Sequence, residues 1–194
     1  MLSTLYKSIM ANVVLVLLVC GFYPLIVTGI GQTFFSDNAN GGLIQKDGKT
    51  VGAKLIGQAF SKPEYFHGRP SSAGDKGYDA ANSSGSNLGP TNQKLFDAVK
   101  GNVEALLKDN PTLKKGEVPV DLVTASASGL DPHISPESAY VQADRIASAR
   151  KTDVAQIKAF IEAHVEGPQL GIFGESVVNV LQLNLDLDQK FAIK

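Results

Sequence analysis

Charged side chains are absent from Ser8 to Ser36, and the heart of that gap is the run "ANVVLVLLVCGFYPLIVTGIG", Ala11 to Gly31. A helix of about 20 apolar residues matches the hydrocarbon thickness of a bilayer. The run therefore predicts a transmembrane helix over residues 11–34, preceded by a short tail, residues 1–10. Pro24 fits such a helix, because membrane helices tolerate proline where neighbouring groups satisfy the freed carbonyl. A cleaved signal peptide is the competing reading, with "GIG" at Gly29–Gly31 as its small-residue site. Its apolar core would normally be shorter. A lipid anchor at Cys20 fits poorly, since Val19 precedes it and the apolar run continues beyond.

After residue 36 the pattern changes. In "GGLIQKDGKTVGAKLIGQAF" two apolar-rich segments flank Asp47-Gly48, a pair suited to the positive φ of a two-residue hairpin turn. "RPSSAGDKGYDAANSSGSNLGPTN", Arg69 to Asn92, has no hydrophobic period. Long loops in compact domains tend to be functional or disordered. Tyr78 and Leu88 give this one anchors, so an ordered loop is expected. Three helices follow. The first has Thr91 as N-cap and an apolar face of Leu95, Phe96, Val99, Val103, Leu106 and Leu107. The second, "SPESAYVQADRIASARK", starts with Ser135 as cap and Pro136 in the first turn. The third places Val154, Ile157, Ile161 and Val165 on one face. Val180 to Leu187 alternates apolar with polar and predicts a half-buried strand. The fold class is α+β: one N-terminal transmembrane helix, then one mixed α/β soluble domain over residues 36–194. That domain comprises a β-hairpin, a long Ser/Gly/Asn-rich loop, three helices and a C-terminal strand.

The 194 residues carry a net charge of −1 with 19% charged residues, which gives no basic surface for nucleic acid. Lys7 precedes the apolar run, while Lys46, Lys49 and Lys54 follow it. Long domains translocate largely regardless of flanking charge, so charge does not fix the side of the membrane. The single cysteine, Cys20, forms no internal disulfide and does not report the compartment.

"DLVTASASGLDPHISPES", Asp121 to Ser138, gathers Ser126, Ser128, Asp131 and His133 in a short span. A membrane-anchored hydrolase using Ser126 or Ser128 with His133 is the alternative reading of function. A nucleophilic serine needs an oriented base and an oxyanion hole, often on a G-x-S-x-G turn, and that motif is missing from the chain. His67, His133 and His164 lack the helical spacing of a zinc pair, so no metal site is expected; that no cofactor is bound directly is what the family resemblance below implies. Gly129, Pro132 and Ser135-Pro136 favour a turn leading into a helix, with His133 bonded to backbone. "GKT" at Gly48–Thr50 lacks the glycine spacing of a phosphate-binding loop and belongs to the hairpin.

These blocks carry a family resemblance. "DLVTASASGLDPHISPESAYVQADRIASAR", "SSAGDKGYDAANSSGSNLGPTNQKL", "FGESVVNVLQLNLDLD" and "GLIQKDGKTVGAKLIGQAF" are similar to the signature blocks of the C-subunit family (KdpC) of Kdp potassium-transporting P-type ATPases. The resemblance runs essentially end to end. The chain departs from it at Ser176-Val177, where the family pattern implies Pro-Arg, and at "ARKT", Ala149–Thr152. It implies a non-catalytic subunit of a bacterial inner-membrane complex, with the large domain on the extracytoplasmic side. Its partners would be a potassium-translocating subunit (KdpA-like), an ATP-hydrolysing subunit (KdpB-like), a small one-helix subunit (KdpF-like) and the lipid bilayer. The complex would use ATP, Mg and K. Any promotion of ATP binding would be indirect. The residues fit that division: Asp75-Lys76-Gly77 lacks the threonine of a phosphorylation motif, and Thr50-Val51-Gly52 is a lone match to a potassium filter. Ser83, Ser84, Ser86 and Asn87, with Asp131 and His133, form the candidate partner-contact or pore-entrance loop. Arg69 and Arg145 are candidate interface or loop-ordering residues.

Overall fold

A computed structural model describes residues 1–193, which divide into two compact units, residues 1–53 and residues 54 onward.

The first unit is helical from its second residue. Helix α1 (Leu2–Val16) runs through a wider π turn (Leu17–Phe22) into α2 (Tyr23–Phe34). The 33 residues from Leu2 to Phe34 form one apolar helix, long enough to cross a membrane, with none of its residues buried within the protein. At 1.5 Å per residue it is about 50 Å long, more than a hydrocarbon core of about 30 Å requires. The π turn ends just before Pro24. A proline ring clashes with the carbonyl four residues back, and a locally widened turn relieves that clash. After the short α3 (Ser36–Ala39) comes the expected hairpin, β1 (Leu43–Lys46) with β2 (Lys49–Ala53). Its turn uses Asp47 at φ 52° and Gly48 at φ 74°. Pairing slips past Val51, so Gln45 faces Thr50 while Ile44 faces Gly52.

The second unit holds α4 (Gln93–Asp109), β3 (His133–Ile134), α5 (Pro136–Tyr140), α6 (Ala143–Arg150), α7 (Val154–Glu162), β4 (Val178–Asn179) and α8 (Val180–Lys190). Strands β3 and β4 pair antiparallel, His133 with Asn179 and Ile134 with Val178. Phe66, Ile134, Ile146, Ile157, Ile161, Val178, Leu183 and Leu187 form the core, none more than 2% exposed.

Four expectations change. The stretch Val180–Leu187 is a helix, not a C-terminal strand. Its buried residues Val180, Leu181, Leu183, Asn184 and Leu187 follow helical spacing. Asn184 is polar, so the buried face does not show as an apolar stripe. The Asn179 side chain caps the helix by accepting from Gln182 N at 3.1 Å. The helix expected from Ser135 is two helices, α5 and α6, with Gln142 at the break. Its backbone N–H donates to Ala139 O, three residues back, while its own Nε2 donates to the freed Ser138 O at 3.0 Å. The N-cap of α4 is Asn92 rather than Thr91, accepting from Lys94 N at 3.0 Å. The apolar face of α4 stays largely outside the core: Leu106 packs against the core, whereas Leu95, Phe96, Val99, Val103 and Leu107 line an open groove of about 510 Å³.

Candidate functional site

The long loop is ordered because it is clamped to the turn before β3. Arg69 Nη1 donates to Asp131 Oδ2 at 2.9 Å, and Asp131 Oδ1 accepts from His133 N at 3.0 Å. Asp131 thus closes its own Asp-Pro turn and holds the mouth of the loop, as its place before proline suggests. Ser71 Oγ donates to Gly129 O at 2.6 Å and accepts from Tyr78 N at 2.7 Å. The Tyr78 hydroxyl donates to Arg69 O. Burial, with Asp131 nearby, raises the Tyr78 phenol above its ordinary 10.0, so it stays a donor. Further along, Ser83 Oγ and Ser84 N both donate to Ser128 O, at 2.9 and 3.0 Å. The chains approach so closely that Gly129, at φ 66°, has Ser84 O 2.5 Å from where a Cβ would stand. Gly57 is similarly confined, with Asp131 O at 2.6 Å from that position. A side chain fits at neither place.

The candidate residues therefore separate into two groups, with His133 apart from both. Ser83, Ser84, Asp131 and Ser128 tie loop to turn. Ser86 and Asn87 are exposed on the loop, and Asn87 adopts φ 52°. His133 is half-buried: its Nδ1 lies 3.7 Å from Asp131 Oδ1 and its Nε2 lies 3.5 Å from Asn179 Nδ2. The serines of the hydrolase reading are engaged elsewhere. Ser126 is 7% exposed, its Oγ lies 3.5 Å from Ser128 Oγ, and Ser128 Oγ accepts from Leu130 N at 3.1 Å. Those contacts build a turn, and the ring nitrogens of His133 lie toward Asp131 and Asn179. Among the described residues no group of three His, Cys, Asp or Glu side chains is placed to hold a metal ion.

Beside the clamp lies an open cleft of about 350 Å³. Arg69, Asp121, Asp131, His133, Glu175 and Val177 are among its walls. Arg69 Nε is buried without a hydrogen-bond partner among the described residues. Asp121 is committed to the start of α5, accepting from Ser135 N at 2.7 Å and from Ser138 Oγ at 2.5 Å. Val177 gives the cleft an aliphatic wall.

A second set of contacts holds the segment leading into the loop. Asn184 accepts from Phe66 N at 2.8 Å and donates to Phe66 O at 2.9 Å. Gln142 does the same for His67, at 2.8 and 3.1 Å. Two buried side-chain amides thus pair with the backbone as a neighbouring strand would. Arg145 orders the chain just before, donating to Tyr65 O at 2.9 Å and to Gln142 Oε1 at 2.6 Å. Burial lowers its pKa to about 10, which leaves it protonated at neutral pH. Arg150, with a fully buried side chain, bonds Asp188 at 2.8 Å, Glu64 O at 2.9 Å and Phe191 O at 2.9 Å. Ser71, Asp121, Gln142 and Asn184 carried no distinguishing local signal in the sequence, since their partners are far along the chain.

A family model described as "K+-transporting ATPase, c chain" matches residues 5–189. Curated relatives bear the name potassium-transporting ATPase KdpC subunit. One from Nitratidesulfovibrio vulgaris is 50% identical over 188 residues, 97% of this chain and 95% of the relative. One from Dechloromonas aromatica is 53% identical over 188 residues, 96% and 98% of the two chains. One from Mycobacterium bovis is 56% identical over 167 residues, 86% and 88% of the two chains. Helix, hairpin, clamp and core all fall within the matched span, and the chain belongs to the KdpC family, the c chain of K+-transporting ATPases.

Proposed function

We propose that this chain is the non-catalytic subunit that assembles and stabilises a high-affinity, ATP-driven potassium uptake pump. The helix Leu2–Phe34 crosses the bacterial inner membrane once, and the large domain lies on the extracytoplasmic side. Its partners are a channel-like potassium-translocating subunit, an ATP-hydrolysing subunit and a small one-helix subunit. ATP, Mg and K are used by those partners, and any gain in ATP binding reaches them indirectly. The observation that carries this reading is the family match, which spans both the apolar helix and the folded domain. The domain's polar residues support it, because Asp131, Ser128 and Ser71 are spent on holding a loop in shape. Ser86 and Asn87, exposed on that loop, are offered to a partner near the potassium entrance.

Sidedness tests the reading. Lys46 is exposed on the hairpin, while Cys20 lies within the apolar helix. In Lys46→Cys, a membrane-impermeant maleimide should label intact cells whose outer membrane has been permeabilised. Labelling only after lysis, with assembly intact, would place the domain beside the nucleotide and remove the extracytoplasmic reading.

A further inference from the structure

Between Glu166 and Glu175 lies "GPQLGIFG", eight uncharged residues that form a closed finger. Its base is a two-way backbone pair: Glu166 N donates to Val177 O at 2.8 Å, and Val177 N to Glu166 O at 2.9 Å. A second pair joins Gln169 and Phe173, at 2.8 and 2.9 Å, and Gly171 N reaches Pro168 O at 2.9 Å across the tip. Leu170 and Gly171 turn the chain at φ 54° and 74°. A left-handed backbone is unfavourable for a leucine, so its side chain is held outward at a conformational cost. The finger presents Leu170 at 89%, Ile172 at 79% and Phe173 at 64% exposure. Scattered exposed apolar residues are ordinary, but three on one rigid tip mark an interaction site.

We propose that this finger, with the cleft at its base, docks into an apolar crevice with a basic rim on another subunit of the pump. The proposal rests on the accessory-subunit reading and adds the surface and the chemistry of its partner. Charge selects protein over lipid. A finger seated in a leaflet is normally flanked by lysine or arginine, which anionic headgroups attract. Here the flanks are Glu166 and Glu175, and no Lys or Arg occurs between Lys158 and Lys190. Continuity points the same way. Glu175 and Val177 leave the finger and line the cleft that also holds Asp121, Asp131 and Arg69. Three carboxylates against one guanidinium suit a partner that brings a lysine or arginine. A finger already locked by its backbone pairs loses little conformational freedom on docking.

The test uses the full chain, tagged, in membranes that contain the other pump subunits. A photo-crosslinking benzoylphenylalanine placed at Ile172 should give an adduct with the mass of a multi-span subunit. The pair Leu170→Asp and Ile172→Asp should lower the amount of captured partner at least about tenfold at equal chain level. Both side chains are exposed, so the variant's melting temperature should stay within about 2 °C of wild type. Charge reversal, Glu166→Lys with Glu175→Lys, should weaken capture more at low salt than at high salt. Adducts with lipid alone, or undiminished capture by the Asp variant, overturn the proposal. If the wild-type chain captures no partner, the accessory-subunit reading fails and the proposal with it. Wild-type capture with an indifferent finger overturns the finger alone.

Discussion

Two irregular segments that adjoin in sequence are held by the same chemistry at different depths. Residues 64–67 are gripped by Asn184, Gln142 and Arg150, all buried, with Phe66 fully inside the core. Residues 69–84 are clamped by Asp131, Ser128 and Gly129 through contacts that remain partly exposed; the Arg69 and Asp131 side chains are 25% and 28% exposed. Depth decides what each contact is worth. A buried backbone group left unpaired costs its full desolvation penalty, about 1–3 kcal/mol, while an exposed one recovers water. The inner grip therefore sets global stability, and the outer clamp sets the shape of a surface. A binding loop on a rigid base is a common arrangement for presenting contacts to a partner.

Asn184→Ala is the severest test of that contrast. It strips both partners from Phe66 and leaves a void in place of a buried side chain, so a loss of about 4 kcal/mol is expected. Equilibrium denaturation of the full chain in detergent checks it. A loss below about 1 kcal/mol would mean that water enters and replaces the amide, and the inner grip would then be no stronger than the outer clamp.

Arg69→Met should act locally. Removing a partly exposed charge-assisted bond costs about 1 kcal/mol after allowance for solvent, and it also removes the buried Nε that has no partner among the described residues. The expected signature is faster tryptic cleavage after Lys76 under native conditions, with a small change in global unfolding. If Arg69→Met instead unfolded the domain as severely as Asn184→Ala, loop and core would be one cooperative unit.

The sequence displayed these regions unequally. The apolar helix, the Asp-Gly hairpin and the Ser135-Pro136 helix start rest on short-range physics, and each is present. The membership of Asp131 in a turn was visible because proline follows it. The clamp was not visible in pairs, because Ser71 meets Gly129 across 58 positions and Asn184 meets Phe66 across 118. Buried polar residues also misled. Asn184 inside the last helix turned a helical face into an apparent alternation, and Gln142 split a helix by taking a carbonyl with its own side chain. The face of α4 misled in the opposite sense: the pattern was amphipathic, yet most of it faces an open groove. Period reports which face is apolar, and only packing reports what covers it.

The mildest test concerns pH, and it tests the inner grip without deleting a contact. His67 sits at the end of the gripped segment, its Nε2 3.0 Å from Lys62 O, which fixes the neutral ring with its proton on Nε2. Burial first, then the Arg145 guanidinium, holds the imidazole below its ordinary 6.5; the Lys62 carbonyl and Asp109 pull weakly the other way. Because the folded pKa is the lower one, the unfolded chain takes up the proton first as pH falls. Stability is full above about 6.5, falls as pH drops from there to the folded pKa, and levels off below it. His67→Gln keeps a donor near Lys62 O and removes the titration. The difference in unfolding free energy between wild type and His67→Gln should therefore shrink, or turn against wild type, between pH 7.5 and about 5.5, before most carboxylates begin to titrate. A flat difference across that window would mean that the ring reaches solvent. A rise toward acid would mean that a carboxylate, not burial and Arg145, governs it, and the segment that leads into the loop would then be held less deeply than its side-chain amides imply.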